Sequence, residues 1–176
     1  MKKNLSVISL IGMTGAGKTT VGQALSEKLN CDFLDLDFLI CEKTKKNPTE
    51  IFSLHGERAF RKIEASELKK IFKTRAGNLI LSCGGGTVLK RGSRRLLKRN
   101  SFVVWLIRPA GEIAKNEEII NRPPINGDMA DYIKIFEQRK KLYAKTCEKG
   151  LKIEYSGVLE AVEKIIKYTH CLQKFY

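Results

Sequence analysis

A glycine-rich segment near the start of the chain restricts the possible folds most strongly. Residues Gly12–Thr19 read GMTGAGKT and match the pattern G-x-x-x-x-G-K-[S/T] completely. The apolar run Ser6–Ile11 precedes the segment and is predicted to form a strand. Val21, Leu25 and Leu29 recur every four residues after it, which indicates one apolar face of a helix. A glycine loop between a strand and a helix is the context in which this pattern binds phosphate.

The loop predicts binding of a nucleoside triphosphate, here taken as ATP, together with Mg²⁺. Its glycines allow the backbone to curl so that successive N–H groups point at phosphate oxygens. The helix that follows presents the positive end of its dipole to the same anion. Lys18 is expected on the β- and γ-phosphates, and the hydroxyl of Thr19 on the metal ion. The predicted nucleotide-binding residues of the loop are Gly15, Ala16, Gly17, Lys18, Thr19 and Thr20.

The rest of the chain alternates apolar runs with helical patterns. A helix start is predicted at Asn47-Pro48-Thr49-Glu50, and Gly56 is expected to break or kink that helix. The last helix is predicted at Gly157–Cys171. This alternation predicts an α/β fold with a parallel sheet between helices, and we expect residues 1–176 to form one domain. The later predicted strands are Asp32–Leu36, Asn78–Ser82, Phe102–Ile107 and Leu151–Tyr155.

The net charge of +14 is the unusual bulk property of the chain. Such a charge is compatible with nucleic-acid binding, but it equally favours a nucleotide-binding enzyme with an anionic substrate. The basic residues are spread along the chain at helical spacing beside apolar positions, which indicates solvated helix faces. We therefore expect no nucleic-acid partner. The small size and self-contained patterning of the chain lead us to expect a monomer.

Cysteine usage and hydropathy indicate a cytoplasmic protein. The five cysteines are odd in number and include no C-x-x-C pair, so we expect reduced thiols and no metal site built on cysteine. No apolar run approaches the roughly 20 residues that span a bilayer. The apolar N-terminal stretch leads directly into the glycine loop, so we interpret it as a buried strand and not as a signal peptide.

The phosphate loop does not by itself define the reaction, since kinases, GTPases and motor ATPases share it. A single small domain has room for one acceptor site and a lid, which favours a small-molecule kinase, and the guanine-reading motif Asn-Lys-x-Asp is absent. The predicted third strand ends in Leu81-Ser82-Cys83-Gly84 without an acidic residue, so a carboxylate near Mg²⁺ must come from elsewhere. Asp35 and Asp37 are the candidates, and strand alternation is expected to place both on one face.

Two further features fall near the same edge of the predicted sheet. Gly84–Gly86 follow the third strand, and ligands of such sheets bind beyond the carboxyl ends of the strands. Arg61, Arg122 and Arg139 are candidate anion ligands, but composition cannot distinguish them among 33 basic residues.

Taken together, these segments resemble the shikimate kinase family, from about Leu5 to the last helix. The family pattern combines the phosphate loop, an Asp-x-Asp after the second strand, a Gly-Glu-x-x-Phe-Arg-x-x-Glu helix, a Gly-Gly-Gly turn, an Arg-Pro lid and a late Arg before Leu-Tyr. This chain has the helix motif at 56–64 and the late arginine as Arg139-Lys140-Lys141-Leu142-Tyr143.

The resemblance implies specific roles and a specific topology. Asp37, Arg61, Gly85 and Arg139 are expected to bind shikimate, with Asp37 assisting the attacking hydroxyl and the two arginines binding the carboxylate. Asp35 is expected near Mg²⁺ through water. The resemblance also implies a catalytic lid arginine, Arg122, in a lid at about 109–127. It implies a shikimate-binding segment at about 37–64. The sheet is expected to be five-stranded and parallel, in the order 2-3-1-4-5. The expected catalytic residues are Asp37, Lys18 and Arg122.

Other functions stay open at this stage. The lid reads Arg122-Pro123-Pro124-Ile125, where the family usually has Arg-Pro-Leu-Leu. Another small kinase, acting on gluconate or a nucleoside monophosphate, would share the phosphate loop but would not require this combination of carboxylates, glycines and arginines. An RNA-associated ATPase would suit the charge, and it predicts aromatic residues clustered with basic ones, whereas Trp105 lies in a predicted strand.

Overall fold

The computed structural model of the chain describes residues 7–75, 77–114 and 128–173. Within these ranges the strands are β1 Val7–Ile11, β2 Asp32–Asp35, β3 Leu79–Ser82, β4 Phe102–Ile107 and β5 Leu151–Glu154. The helices are α1 Lys18–Leu29, α2 Leu36–Thr44, α3 Pro48–Thr74, α4 Arg91–Asn100, α5 Ala110–Ala114, α6 Met129–Thr146 and α7 Val158–Gln173, with a 3₁₀ turn at Thr87–Leu89.

The five strands form one parallel sheet in the order β2-β3-β1-β4-β5, which confirms the predicted order. The register brings the ends of the first three strands level, because Ser82 of β3 pairs with Leu10 of β1 on one side and with Asp35 of β2 on the other. The loops after β1, β2 and β3 therefore leave the sheet side by side, where ligands of doubly wound sheets bind.

Helices cover both faces of the sheet and bury two apolar clusters. One cluster includes Phe60 and Leu68 of α3, Leu97 of α4 and Tyr143 of α6. The other includes residues of α1 and α7, namely Val21, Leu25, Val162 and Ile165. Since both faces are covered, the strands are apolar without strict alternation, and all four residues of β3 are buried.

The local helix signals act as predicted at Asn47 and Gly56. The Asn47 side chain accepts a hydrogen bond from the N–H of Glu50 at 2.9 Å, and the Glu50 carboxylate accepts one from the N–H of Asn47 at 2.6 Å. This reciprocal capping box starts α3. Gly56 has φ 75° and ψ 161° inside α3 and kinks the helix there.

The predicted end of β2 was wrong. The strand ends at Asp35, and Leu36 already begins α2. Asp35 caps this helix, because its Oδ1 accepts hydrogen bonds from the N–H groups of Asp37 at 3.0 Å and Phe38 at 3.2 Å. Asp37 therefore lies in the first turn of a helix, and strand alternation does not relate the two carboxylates.

The structure describes the side chains of four of the five cysteines. Cys31, Cys41, Cys83 and Cys147 are free thiols. Among the described residues, no helix combines the length and the apolar character that crossing a membrane requires.

Candidate active site

A cavity of ≈ 850 Å³ opens at the carboxyl edge of the sheet. It lies where the loops after β1, β2 and β3 meet the kinked part of α3 and the middle of α6. Its lining combines residues of the phosphate loop with the predicted acceptor residues. The residues that define its chemistry are Thr14, Thr19, Asp35, Asp37, Arg61, Gly84, Gly85, Gly86 and Arg139.

The phosphate loop has the conformation that an anion site requires. Gly15 and Gly17 adopt φ values of 82° and 73°, which side chains other than glycine rarely tolerate. Helix α1 begins at Lys18 with no side-chain cap on its first turn and no acidic residue there. Its first N–H groups therefore favour an anion at this end.

The remaining predicted nucleotide residues lie in the same loop and first helical turn. Lys18 is largely buried, and its ammonium donates a hydrogen bond to the main-chain oxygen of Met13 at 2.8 Å. Ala16 is buried, whereas Thr19 and Thr20 are exposed. The lysine thus folds back across the loop that we expect to hold the phosphates.

The structure brings the two predicted metal-site residues into direct contact. The Thr19 hydroxyl donates a hydrogen bond of 2.7 Å to Oδ2 of Asp35, while Oδ1 of Asp35 caps α2. A hydroxyl and a carboxylate are the hard oxygen ligands that Mg²⁺ prefers. Within the described ranges no group of three carboxylate, histidine or cysteine side chains could hold a metal ion.

At the Gly84–Gly86 turn, atoms of three other segments lie close to the positions that Cβ atoms would occupy. A Cβ on Gly84 would lie 2.6 Å from Oδ1 of Asp37, and one on Gly85 would lie 3.0 Å from the main-chain nitrogen of Thr14. A Cβ on Gly86 would overlap the guanidinium of Arg61. The turn therefore contacts the phosphate loop, the acidic residue and an arginine at once.

Arg61 is held in place by two carboxylates of its own helix. Its Nη1 donates to Oε1 of Glu64 at 2.9 Å, and its Nε and Nη2 donate to Oε1 of Glu57 at 3.2 and 3.1 Å. The guanidinium carbon also lies 5.1 Å from the ring centroid of Phe60 and 5.7 Å from that of Phe52. Since the side chain is thereby fixed before any ligand binds, it loses little entropy on binding.

Glu64 is a buried carboxylate in contact with Arg61, and no role is predicted for it from the sequence. It is fully buried, and the same oxygen that accepts from Arg61 also accepts from the Thr87 hydroxyl at 2.6 Å. Burial raises the pKa of Glu64, and the Arg61 cation and the Thr87 hydroxyl oppose that rise. The spacing of three residues from Arg61 on a helix was the available sequence signal.

Arg139 reaches the same turn from α6. It is 8% exposed, and its Nη1 lies 3.5 Å from the main-chain oxygen of Gly85. The hydroxyl of Tyr143, one helical turn further on, donates to that same oxygen at 2.5 Å. Burial raises the pKa of Tyr143 to about 12, so the hydroxyl stays a donor at neutral pH. The motif Arg139-Lys140-Lys141-Leu142-Tyr143 contains this tyrosine but does not predict its contact with Gly85.

The predicted site residues are thus brought together, with one exception. Asp35, Asp37, Arg61, Gly85, Arg139 and Thr19 all line one cavity, and Gly15, Ala16, Gly17, Lys18 and Thr20 belong to the loop beside it. The predicted lid arginine, Arg122, lies outside the described residues, as does most of the predicted lid at about 109–127.

Comparison with known proteins places these features in one family. A family model described as shikimate kinase matches residues 14–170. The chain belongs to the shikimate kinase family. It is therefore an ATP-dependent kinase, as the motifs predicted, and the gluconate-kinase, nucleotide-kinase and RNA-associated ATPase alternatives give way to this assignment.

Individual members of the family match nearly the whole chain. A shikimate kinase of Clostridium botulinum (strain Alaska E43 / Type E3) is 35% identical over 161 residues, which cover 90% of this chain and 96% of that protein. A shikimate kinase of Enterococcus faecalis is 35% identical over 164 residues, covering 91% and 96%. The structure of shikimate kinase from Acinetobacter baumannii in complex with shikimate matches with a TM-score of 0.86 at 30% identity, covering 96% of this chain and 95% of that one.

Proposed function

We propose that this chain transfers the γ-phosphate of ATP to the 3-hydroxyl of shikimate, and that the residues lining the cavity carry out the transfer. The observation that carries the proposal is the shared cavity, in which the phosphate loop, the Asp37 carboxylate and two arginines meet at the Gly84–Gly86 turn. The shikimate bound to the Acinetobacter baumannii relative supports the choice of acceptor.

Arg61 and Arg139 bind the carboxylate of shikimate. They approach the glycine turn from α3 and α6, and each guanidinium offers a fork of parallel N–H donors that matches a carboxylate. The N–H group of Gly85 lies in the same turn and adds a main-chain donor. An acceptor with one carboxylate at one end and hydroxyl groups at the other fits this arrangement.

Asp37 orients the acceptor hydroxyl. It lies in the first turn of α2 and approaches the turn at Gly84, so it faces the cavity between the arginines and the phosphate loop. Its carboxylate accepts a hydrogen bond from the attacking hydroxyl and takes up the proton that the hydroxyl loses. The new bond joins the 3-oxygen of shikimate to the γ-phosphorus, and the bond from that phosphorus to ADP breaks.

The nucleotide occupies the phosphate loop, with N–H groups of Gly15–Thr20 and the Lys18 ammonium on its phosphates. The ammonium of Lys18 has three N–H donors, so it binds phosphate oxygens with the donors that are not on the Met13 oxygen. Thr19 and, through water, Asp35 hold Mg²⁺. When bound, the ion supplies positive charge that offsets the negative charge on the β- and γ-phosphate oxygens. Arg122 is proposed to add a positive charge from the lid at about 109–127, and the chain is proposed to act as a single-domain monomer.

Titrations of Arg61→Ala and Arg139→Ala test the acceptor assignment, with Arg95→Ala on α4 as a control. Each lost fork should raise the KM for shikimate about 10- to 150-fold, because a hydrogen bond to a charged group contributes roughly 1.5–3 kcal/mol. The KM for ATP should change less than about threefold. If both variants bind shikimate normally, or if the KM values for ATP and shikimate rise equally, the assignment is wrong.

A further inference from the structure

The last strand of the sheet contacts the phosphate loop through Tyr155. This residue follows β5 directly, and its N–H donates to the main-chain oxygen of Ile107 at 3.3 Å, so the pairing of β5 with β4 continues to this position. The side chain is 5% exposed and belongs to the same apolar cluster as Ala16 and Leu106. At the end of the ring, the hydroxyl donates a hydrogen bond to the main-chain oxygen of Ala16.

That hydrogen bond fixes the orientation of one peptide unit in the loop. The carbonyl of Ala16 and the N–H of Gly17 belong to the same peptide, and a trans peptide points these two groups in opposite directions. Since the carbonyl is held against the Tyr155 hydroxyl, the N–H of Gly17 points away from Tyr155. Gly17 has φ 73°, and because glycine adopts either sign of φ with little cost, the sequence of the loop alone does not prevent this peptide from rotating.

Two further observations support a specific fit between Tyr155 and the loop. A Cβ on residue 17 would overlap the Tyr155 hydroxyl, so this tyrosine requires a glycine opposite it. Burial raises the pKa of Tyr155, which keeps its hydroxyl protonated as a donor. Lys18 donates to a different carbonyl of the loop, that of Met13, whereas Tyr155 donates to the carbonyl of Ala16.

We propose that Tyr155 is a positioning residue, whose hydroxyl holds the Ala16–Gly17 peptide so that the Gly17 N–H points at the phosphates of bound ATP. This inference rests on the proposed binding of ATP at the loop. It assigns to the end of β5 a part in phosphate binding that the glycine motif does not contain.

Tyr155→Phe tests the inference, because it removes the hydroxyl and keeps the packed ring. Tyr168→Phe is the matched control, since Tyr168 lies on α7 with its ring stacked on Phe102. Calorimetric titrations should use ATP, inorganic tripolyphosphate and shikimate. We expect Tyr155→Phe to weaken the binding of ATP and the binding of tripolyphosphate by the same factor, about 5- to 15-fold for one lost hydrogen bond. Shikimate binding in Tyr155→Phe, and all three ligands in Tyr168→Phe, should stay within twofold of the wild type.

Each other outcome overturns the inference. Unchanged ATP and tripolyphosphate affinities, even with a lowered melting temperature, would limit Tyr155 to a role in stability. A loss confined to ATP would place its effect at the nucleoside end of the ligand and not at the phosphates. A wild-type chain that binds neither ATP nor tripolyphosphate would refute the proposed function itself, so the two failures are distinguishable.

Discussion

Gly86→Ala should weaken shikimate binding without disturbing ATP binding. The added Cβ would overlap Nη2 and Cζ of Arg61 and lie 2.8 Å from its Nη1. Carbon atoms and their neighbours make favourable contact at about 3.5–4.0 Å, so the guanidinium must move by roughly 1 Å or more. Gly86 itself has φ −100° and ψ 0°, which alanine can adopt, so the effect comes from this contact and not from backbone strain.

The displacement should be costly because Arg61 is held on several sides. A shift of roughly 1 Å breaks the 2.9 Å hydrogen bond from Nη1 to Glu64 and moves the donors that we expect on the shikimate carboxylate. Loss of one charge-assisted hydrogen bond corresponds to roughly 1.5–3 kcal/mol. The KM for shikimate should therefore rise about 10- to 150-fold, with the KM for ATP unchanged within about threefold.

A coupled assay of ADP release, with each substrate varied separately, measures both constants. Gly92→Ala is the matched control, because a Cβ at that position meets nothing within 4 Å and alanine is the better helix former in α4. The decisive comparison is Arg61→Ala with and without Gly86→Ala. If the glycine acts through Arg61, the second substitution should add little to the first. Full additivity, or normal shikimate binding by Gly86→Ala alone, would show that Gly86 does not act on shikimate binding through Arg61.

Two further predictions concern the acidic residues of the site. Asp37→Asn keeps the shape of the side chain but removes its charge, and it should lower kcat by roughly 100-fold or more. The control Asp131→Asn on α6 should leave kcat unchanged. A kcat of Asp37→Asn within a few-fold of the wild type would show that Asp37 does not act in the transfer. Burial raises the pKa of Glu64 above 4.5. Between pH 4.5 and the folded pKa, the folded state therefore keeps a proton that the unfolded chain loses. The free energy of unfolding should fall as the pH rises through this range. Glu64→Gln should remove that component in urea unfolding curves measured between about pH 4.5 and 7, whereas an unchanged pH dependence would contradict it.

Local signals predicted much of the fold. The glycine loop, the capping box at Asn47 and the kink at Gly56 each depend on residues close together in sequence, so their geometry follows from a few neighbouring side chains. The prediction for the end of β2 was wrong because Asp35 carries two competing local signals. Alternation with Asp37 suggested a continued strand, but its carboxylate caps the N–H groups of α2 instead.

The tertiary contacts of the site could not be predicted from local patterns. The position of Gly84 and Gly86 after a strand indicates a ligand-binding turn, but it does not show that Asp37 and Arg61, from other elements, occupy the space beside them. The hydrogen bond from Tyr143 to Gly85 joins residues 58 positions apart, and that from Tyr155 to Ala16 joins residues 139 apart. Periodicity does not report such contacts, so the roles of Arg61 and Arg139 rested on resemblance to a family.

The acceptor specificity of the wild-type chain tests whether shikimate is its substrate. ADP release by the wild-type chain should be measured with ATP and Mg²⁺ in the presence of shikimate, gluconate, nucleoside monophosphates or RNA, each alone. We predict release with shikimate in amounts equal to the shikimate consumed, with the phosphate on its 3-hydroxyl by phosphorus NMR, and little above background with the others. Preferred turnover of gluconate or a nucleotide, or stimulation by RNA without an acceptor, would contradict the account.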